Sequence, residues 1–116
     1  MNKAVLINFW ATWCPPCVDE APEMVKIYQR FHDQGVEFIG ISLDKDRKSM
    51  TGFMAKLGMN WPQYYDGGGW DTKLSRRFGV YSIPTVWIIG PDGRIFATDA
   101  RGELDNLLPK LLATAR

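Results

Sequence analysis

The two cysteines of this chain are the residues best suited to redox chemistry, and only two residues separate them. Residues 4–10, just before them, are apolar and rich in β-branched and aromatic side chains, which predicts a buried strand. Beyond them, apolar residues recur every three to four positions as far as Phe31, which predicts a helix. The pair therefore lies where a strand ends and a helix begins, and we expect it to be the active site. Its motif is Trp13-Cys14-Pro15-Pro16-Cys17.

The position of the pair favours a reactive thiol. The first turn of a helix presents unpaired N–H groups and the positive end of the helix dipole, and both stabilise an anion. Cys14 lies just ahead of that turn, so its thiolate should be favoured, and Pro15 suits the first helical position. Cys17, three residues on, is close enough to form a disulfide with Cys14. We expect reversible dithiol–disulfide exchange, with Cys14 as the attacking nucleophile and Cys17 as the resolving thiol.

Three simpler interpretations compete with redox exchange. A purely structural disulfide would close a very short loop and would constrain the unfolded chain little. A zinc site needs about four ligands, and His32, on or near the same helix, is the other soft candidate in the sequence. Buried, unreactive cysteines would need neither the strand-to-helix position nor the prolines. Redox exchange therefore explains more of the pattern than any of the three.

Composition is that of an ordinary globular protein. The chain has 116 residues, enough for one domain with a hydrophobic core. Its 14 basic and 13 acidic side chains give a net charge of +1, which does not indicate binding to nucleic acid or to an anionic membrane. No apolar run approaches the roughly 18 residues of a membrane-spanning helix, and no signal peptide precedes the first strand. The abrupt start suggests an excised domain or a chain whose leader has been removed.

The first half of the sequence predicts a βαβ unit and a helical segment. A second strand over 36–43 follows the first helix, so the two strands should be parallel and joined by a right-handed crossover. Apolar spacing then predicts a second helix closed by Gly58. An irregular connection through 61–69 leads to a short helix capped by Asp71.

The second half predicts a hairpin and a last helix. Residues 85–89 and 94–97 form two antiparallel strands around a turn that contains Pro91. A final amphipathic helix begins near Glu103. The complete prediction is an α/β fold with a mixed four-stranded sheet and helices on both faces.

Two motifs together carry a family resemblance. The first runs from Phe9 to Cys17, and the second is Ser82-Ile83-Pro84-Thr85. They resemble the thioredoxin superfamily, most closely its TlpA/ResA type of bacterial envelope thiol–disulfide oxidoreductase. The resemblance covers nearly the whole chain and implies a thioredoxin-like fold, with one domain over 1–116 and a helical insertion at about 45–80.

The second motif implies a binding surface for substrate. In the family, its proline follows a cis peptide bond beside the cysteine pair, and the residue before it offers its backbone to an extended substrate segment. These roles fall on Pro84 and Ile83. Trp13 is expected to lie over the active site and to add an apolar docking surface. The predicted substrate-binding set is Trp13, Pro15, Pro16, Ile83 and Pro84.

One departure from thioredoxin itself concerns the proton acceptor for Cys17. Thioredoxins carry a buried aspartate in the first strand, whereas this chain has Asn8 at the matching position. An amide cannot accept a proton near neutral pH, so another base or water is needed. In ResA-like proteins an acidic residue follows the next strand. Asp44 is therefore the predicted catalytic carboxylate, as proton acceptor for Cys17, and Asp46 is the next acidic residue after it. An acid at a strand end is otherwise a solvated turn residue or a helix cap.

Aromatic residues cluster near the glycine-rich stretch. They either form a partner-binding rim or pack the insertion against the sheet, and packing is the favoured interpretation. Trp10 is expected in the core. The cluster consists of Trp61, Tyr64, Tyr65 and Trp70.

The resemblance implies an enzyme that reduces disulfides in other proteins of the bacterial envelope or periplasm. Its partners would be cysteine-containing proteins and an upstream thiol electron donor, such as a membrane thiol carrier. The domain would be monomeric and tethered through a missing N-terminal segment. The chemistry needs no metal or organic cofactor beyond the Cys14–Cys17 disulfide.

Two alternative functions stay open. One is a thiol peroxidase, in which Cys14 becomes a sulfenic acid that Cys17 resolves, with weak support from Thr12. The other is a non-catalytic docking module of a longer protein.

Overall fold

Five strands form the sheet at the centre of the fold, and the computed structural model describes residues 3–114 of the chain. The strands are β1 (Ala4–Trp10), β2 (Val36–Ser42), β3 (Gln63–Tyr65), β4 (Thr85–Ile89) and β5 (Ile95–Ala97). Their order is β3-β2-β1-β4-β5, with β1–β2 and β2–β3 parallel and β1–β4 and β4–β5 antiparallel. β1 is therefore the central strand, and the segment that follows it leaves the sheet at the C-terminal end of this strand.

Helical elements cover both faces of the sheet. They are α1 (Pro15–Phe31), α2 (Arg47–Leu57), α3 (Lys73–Arg77) and α4 (Leu104–Thr114), with 3-10 turns at His32–Gln34 and Gly69–Asp71. Side chains alternate between the two faces along a strand. Trp10 of β1 packs against Phe53 of α2, with ring centroids 5.7 Å apart. Phe9, on the opposite face, packs 6.2 Å from Phe78 at the end of α3. The predicted α/β sheet with helices on both faces is thus confirmed.

The sheet has one strand more than the four predicted, because residues expected in an irregular connection form β3. The side chain of Gln63, the first residue of β3, crosses β2 and accepts a hydrogen bond from the Trp10 indole of β1 at 2.9 Å. This crossing requires Gly40 in β2, since a Cβ at that position would collide with the Gln63 amide. The backbone N–H of Gly40 also donates to the Pro62 carbonyl at 2.8 Å. A strand of three residues leaves no alternating pattern in the sequence, so its contacts with β2 and β1 define it.

The prediction that Asp71 caps the short helix is wrong. Asp71 ends a 3-10 turn, and α3 begins two residues later. The backbone N–H of Lys73, the first residue of α3, donates instead to the carboxylate of Asp66 at 2.9 Å. Asp66 also accepts hydrogen bonds from the Gly68 N–H at 2.9 Å and from the Tyr64 hydroxyl at 3.0 Å. The Asp66 carboxylate therefore accepts hydrogen bonds both from the glycine-rich stretch, at Gly68, and from the first residue of α3, Lys73.

The hydrogen bonds of Asp66 predict how stability depends on pH. Burial opposes its ionisation, but the bonds from Lys73, Gly68 and Tyr64 outweigh burial and hold the pKa of Asp66 below 3.8. A lowered pKa in the folded state contributes stability above the unfolded pKa, and this contribution disappears as pH falls below about 3.8. We expect Asp66→Asn to lower the free energy of unfolding at pH 7 by about 1 kcal/mol, as for loss of a helix cap.

Urea unfolding of wild type and D66N between pH 7 and pH 3 measures this difference. The gap between the two proteins should narrow below pH 3.8. An exposed acid without such bonds, Asp33, provides the control variant Asp33→Asn. A gap that stays constant over the whole pH range would contradict the prediction.

Candidate active site

The two cysteines are joined in a disulfide at the N-terminus of α1, just after the central strand β1. Cys14 is the N-cap residue, and Pro15 and Pro16 take the first two helical positions. The Cα atoms of Cys14 and Cys17 lie 5.2 Å apart, within the usual range for a disulfide. Both side chains are buried. The predicted strand-to-helix location of the pair is therefore confirmed.

Few backbone donors remain at this helix N-terminus. Pro15 and Pro16 carry no N–H, so the first free N–H of the helix belongs to Cys17. It points at the Cys14 sulfur, with N and Sγ 3.3 Å apart. The next N–H, of Val18, bonds to the Cys14 carbonyl at 3.0 Å. A Cys14 thiolate would therefore be stabilised by the helix dipole and by one hydrogen bond, where a helix without prolines could offer more.

The second motif lies against Cys14, as the resemblance implies. The Ile83–Pro84 peptide bond is cis, and the Ile83 carbonyl oxygen is 3.8 Å from the Cys14 sulfur. Pro84 is buried and leads into β4, whose residue Thr85 pairs with Phe9 of β1. This brings the Ile83 backbone beside the reactive sulfur. The role of Ile83 and Pro84 in holding substrate stays a prediction.

Asp44 is buried and fixes the loop that leads to the cysteines. Its carboxylate accepts hydrogen bonds from the Thr12 N–H at 2.9 Å and from the Thr12 hydroxyl at 2.6 Å. Its other oxygen accepts from the Ser42 hydroxyl at 2.7 Å. The bonds thus tie the start of the Cys14 loop to the end of β2. The catalytic role of Asp44 stays a prediction. Asp46 is the N-cap of α2, where it accepts a hydrogen bond from the Ser49 N–H at 3.1 Å.

A small cavity beside Cys17 is lined in part by an acidic residue, Glu20, that the sequence analysis missed. The cavity measures about 20 Å³, room for about one water molecule. Asn8, Cys17, Glu20 and Pro84 are among its lining residues. Glu20 is held by Arg101, whose Nε and Nη2 donate to its two oxygens at 3.1 and 2.8 Å. The signal for Glu20 was its place three residues after Cys17 on the same helix face.

The aromatic cluster divides into two parts. Trp61 is buried against Tyr28 and Phe38, at centroid distances of 5.0 and 5.6 Å, so the packing interpretation holds for it. Trp10 is buried as expected. Tyr64 and Tyr65 are half-buried in β3. Trp70 differs, because it is 45% exposed and lies beside Trp13, which is 47% exposed.

Metal ligation finds no support in the described residues. No group of three or more His, Cys, Asp or Glu side chains within residues 3–114 is arranged to hold a metal ion. His32, the predicted soft candidate, stacks on Tyr28 with ring centroids 4.7 Å apart. The zinc interpretation therefore lacks the further ligands that it needs.

Fold and site together define a thioredoxin-like protein with a cysteine pair suited to disulfide exchange. A family model described as the AhpC/TSA family matches residues 1–98, and the chain belongs to this family. The thiol-disulfide oxidoreductase ResA of Bacillus thuringiensis is 33% identical over 114 residues, which cover 95% of this chain and 64% of that relative. The chain spans about half to two thirds of the length of the curated relatives that it matches.

Solved structures agree with this assignment. A thiol-disulfide oxidoreductase from Bacteroides fragilis is 30% identical with a TM-score of 0.82, and the match covers 97% of this chain and 82% of that one. A secreted disulfide oxidoreductase of Mycobacterium tuberculosis, homologous to DsbE of E. coli, is 25% identical with a TM-score of 0.77, covering 97% and 81% of the two chains. The predicted thioredoxin-like fold and the resemblance to the ResA type are confirmed.

The two prolines lead to a prediction about the pKa of the Cys14 thiol. Pro16→Ala restores an N–H at the second helical position, where N-cap side chains accept hydrogen bonds. We expect this additional donor to lower the pKa of the reduced Cys14 thiol, because a hydrogen bond to the thiolate favours the charged form. Thiolate absorbance against pH in the Cys17→Ala background measures the value for Cys14 alone.

The control for this prediction is Pro22→Ala. It also restores an N–H in α1, but in the helix interior, away from the sulfur. An equal change in P22A and P16A would show that the effect comes from helix stability and not from the added donor.

Proposed function

We propose that this chain is a thiol–disulfide oxidoreductase that reduces disulfides in proteins of the bacterial cell envelope. The proposal depends mainly on one observation, the placement of Cys14 at the N-terminus of α1 with its sulfur 3.8 Å from the Ile83 carbonyl. The relatives named thiol-disulfide oxidoreductase support the activity. The secreted structural neighbour supports the envelope.

In the proposed reaction, the reduced chain donates two electrons to a partner disulfide. The Cys14 thiolate attacks one partner sulfur, and the second partner sulfur leaves as a thiolate that takes up a proton. Cys17 then loses its proton and attacks the Cys14 sulfur, which breaks the mixed disulfide and releases the first partner sulfur as a thiol. The products are a partner dithiol and the Cys14–Cys17 disulfide.

Substrate would lie across the cysteine pair and the cis proline. Cys14 is buried, so a partner disulfide must fit closely against it to be attacked. The Ile83 backbone lies beside the Cys14 sulfur and can meet an extended segment, and Trp13, Pro15 and Pro16 are exposed. These positions support the predicted binding set around Pro84.

The reaction as proposed requires no metal or organic cofactor, because both electrons reside in the cysteine pair. An upstream thiol donor must reduce Cys14–Cys17 again after each cycle, and a membrane thiol carrier fits this role. None of the helices within residues 3–114 is long and apolar enough to cross a bilayer. We further propose that this domain acts as a monomer, tethered to the membrane through a preceding segment of a longer protein.

Two carboxylates compete for the role of proton acceptor for Cys17. Glu20 lines the same cavity as the Cys17 side chain, and one water molecule there can bridge the two groups. Asp44, the acid predicted from sequence, already accepts three hydrogen bonds from Thr12 and Ser42. The contacts favour Glu20 as the acceptor and Asp44 as a positioning residue for the loop before Cys14.

The reduction potential of the Cys14–Cys17 couple tests the proposed function. We expect a reversible two-electron couple near the thioredoxin value of about −270 mV, because a protein that reduces partner disulfides needs a reduction potential below theirs. Equilibration in glutathione or dithiothreitol buffers measures it, with the fluorescence of neighbouring Trp13 as readout. Cys17→Ala is the control and should show no intramolecular couple.

Other outcomes point elsewhere. A potential near the DsbA value of about −120 mV would make the chain an oxidant. Rapid consumption of peroxide by the reduced chain would favour the peroxidase alternative. If no reversible couple appears at all, the result would favour the alternative that the chain is a non-catalytic docking module of a longer protein.

The pH dependence of the second step separates the two carboxylates. We expect Glu20→Gln to slow release of the mixed disulfide about tenfold near pH 7 and to make its rate rise more steeply with pH, because Cys17 must then lose its proton to solvent. Asp44→Asn should lower the free energy of unfolding by about 2 kcal/mol and leave the shape of the pH profile unchanged. Stopped-flow fluorescence after single mixing with a disulfide peptide measures the step. A steeper pH profile in D44N with an unchanged one in E20Q would assign the role to Asp44.

A further inference from the structure

Trp13 and Trp70 form an exposed aromatic surface next to the reactive sulfur. Their ring centroids are 5.7 Å apart, and nearly half of each side chain is exposed. A groove of about 330 Å³ runs along them, lined by Trp13, Trp70, Lys45 and Gly69. We call these four residues the tryptophan groove. It begins one residue before Cys14, so a partner that reaches the sulfur also reaches the groove.

Several contacts hold the groove open. The Trp13 indole donates to the Leu43 carbonyl at 3.0 Å, which fixes its ring over the end of β2. On the other side, Gly69 has φ of 58°, and the stem of Lys45 packs where a side chain at residue 69 would be. The Tyr65 hydroxyl donates to the Lys45 carbonyl at 2.8 Å. The Leu43 carbonyl therefore positions the Trp13 ring, Trp70 packs beside it, and within residues 3–114 both side chains stay nearly half exposed.

Lys45 is the charged side chain among the four groove residues. No ion pair joins Lys45 to an acidic side chain within the described part of the chain. The acidic residues next to the groove residues in the sequence have other partners, since Asp44 accepts from Thr12 and Ser42, Asp46 accepts from Ser49, and Asp71 lies 3.4 Å from Arg76. The Lys45 ammonium is thus the open charge beside two exposed indoles.

We propose that the tryptophan groove selects the partner protein, and that it binds a segment with an aromatic side chain near the reacting cysteine and a carboxylate next to that side chain. This inference rests on the proposed function. Stacking of an aromatic ring on exposed tryptophan removes apolar surface from water, and tryptophans often dominate binding energy. The carboxylate complements Lys45, an effect that salt should weaken.

Four peptides test the proposal, each with one cysteine in a mixed disulfide with 2-mercaptoethanol. A Phe or Ser lies two residues from the cysteine, and a Glu or Lys follows it. Attack on the peptide sulfur releases 2-mercaptoethanol, and Cys17 then frees the peptide thiol, which liquid chromatography quantifies. Every rate is divided by the rate with bis(2-hydroxyethyl) disulfide, a small uncharged reference.

We expect wild type to favour the Phe-Glu peptide over the Ser-Lys peptide about tenfold. Trp70→Ala should reduce the preference for Phe over Ser to less than twofold, and Trp70→Phe should retain most of it. Lys45→Glu should reverse the preference between Glu and Lys. The matched controls are Phe96→Ala, at an exposed aromatic of similar exposure (44%) on β5, and Lys110→Glu on α4, and both should behave as wild type. Thermal unfolding confirms that each variant is folded.

Two results would overturn the inference alone. One is a wild type that reduces the reference disulfide but does not discriminate among the peptides. The other is a folded W70A variant that keeps the wild-type preference for Phe over Ser, with the rates for all four peptides changed equally. A wild type that reduces none of the disulfides, reference included, would overturn the proposed function and this inference with it.

Discussion

The hydrogen bonds between Thr12 and the buried carboxylate of Asp44 are the constraint on which the site depends. A carboxylate out of water must be fully bonded, and here the backbone and side chain of one residue supply two of its three donors. Thr12 immediately precedes Trp13 and Cys14. Its fixed position therefore sets where the indole lies over β2, where α1 begins, and how close the Cys14 sulfur comes to Ile83. Displacing this loop would disturb all three at once.

Opposing effects act on the Cys14 sulfur. The helix dipole and the Cys17 N–H favour its thiolate, whereas the two prolines withhold two donors and the Ile83 carbonyl oxygen lies close by. A strongly stabilised thiolate makes the reduced form stable and the protein an oxidant, and a weakly stabilised one does the reverse. The balance of these effects at Cys14 therefore sets whether the couple reduces or oxidises its partners.

Local patterns in the sequence were sufficient for much of the fold. β1 and β4 have the predicted bounds, α2 ends at Gly58 as expected, and the cysteine pair occupies the predicted strand-to-helix position. The failures share a physical cause, because they involve side-chain contacts that the period of apolar residues does not encode. β3 exists through Gln63 and its partners on β1 and β2, and the capping of α3 by Asp66 depends on a turn of three glycines. Nor could periodicity place Glu20 beside the Cys17 cavity or distinguish exposed Trp70 from buried Trp61.

The crossing of Gln63 over Gly40 has a consequence for how this fold can vary. The glycine leaves the space that the amide fills, and the amide in turn accepts the bond from the Trp10 indole. A larger residue at position 40 displaces Gln63 and leaves a buried indole N–H without its acceptor, so it is tolerated only together with a change at position 63. Among related sequences the two positions should therefore change as a pair, so that a side chain at position 40 is accompanied by a smaller or differently placed residue at position 63.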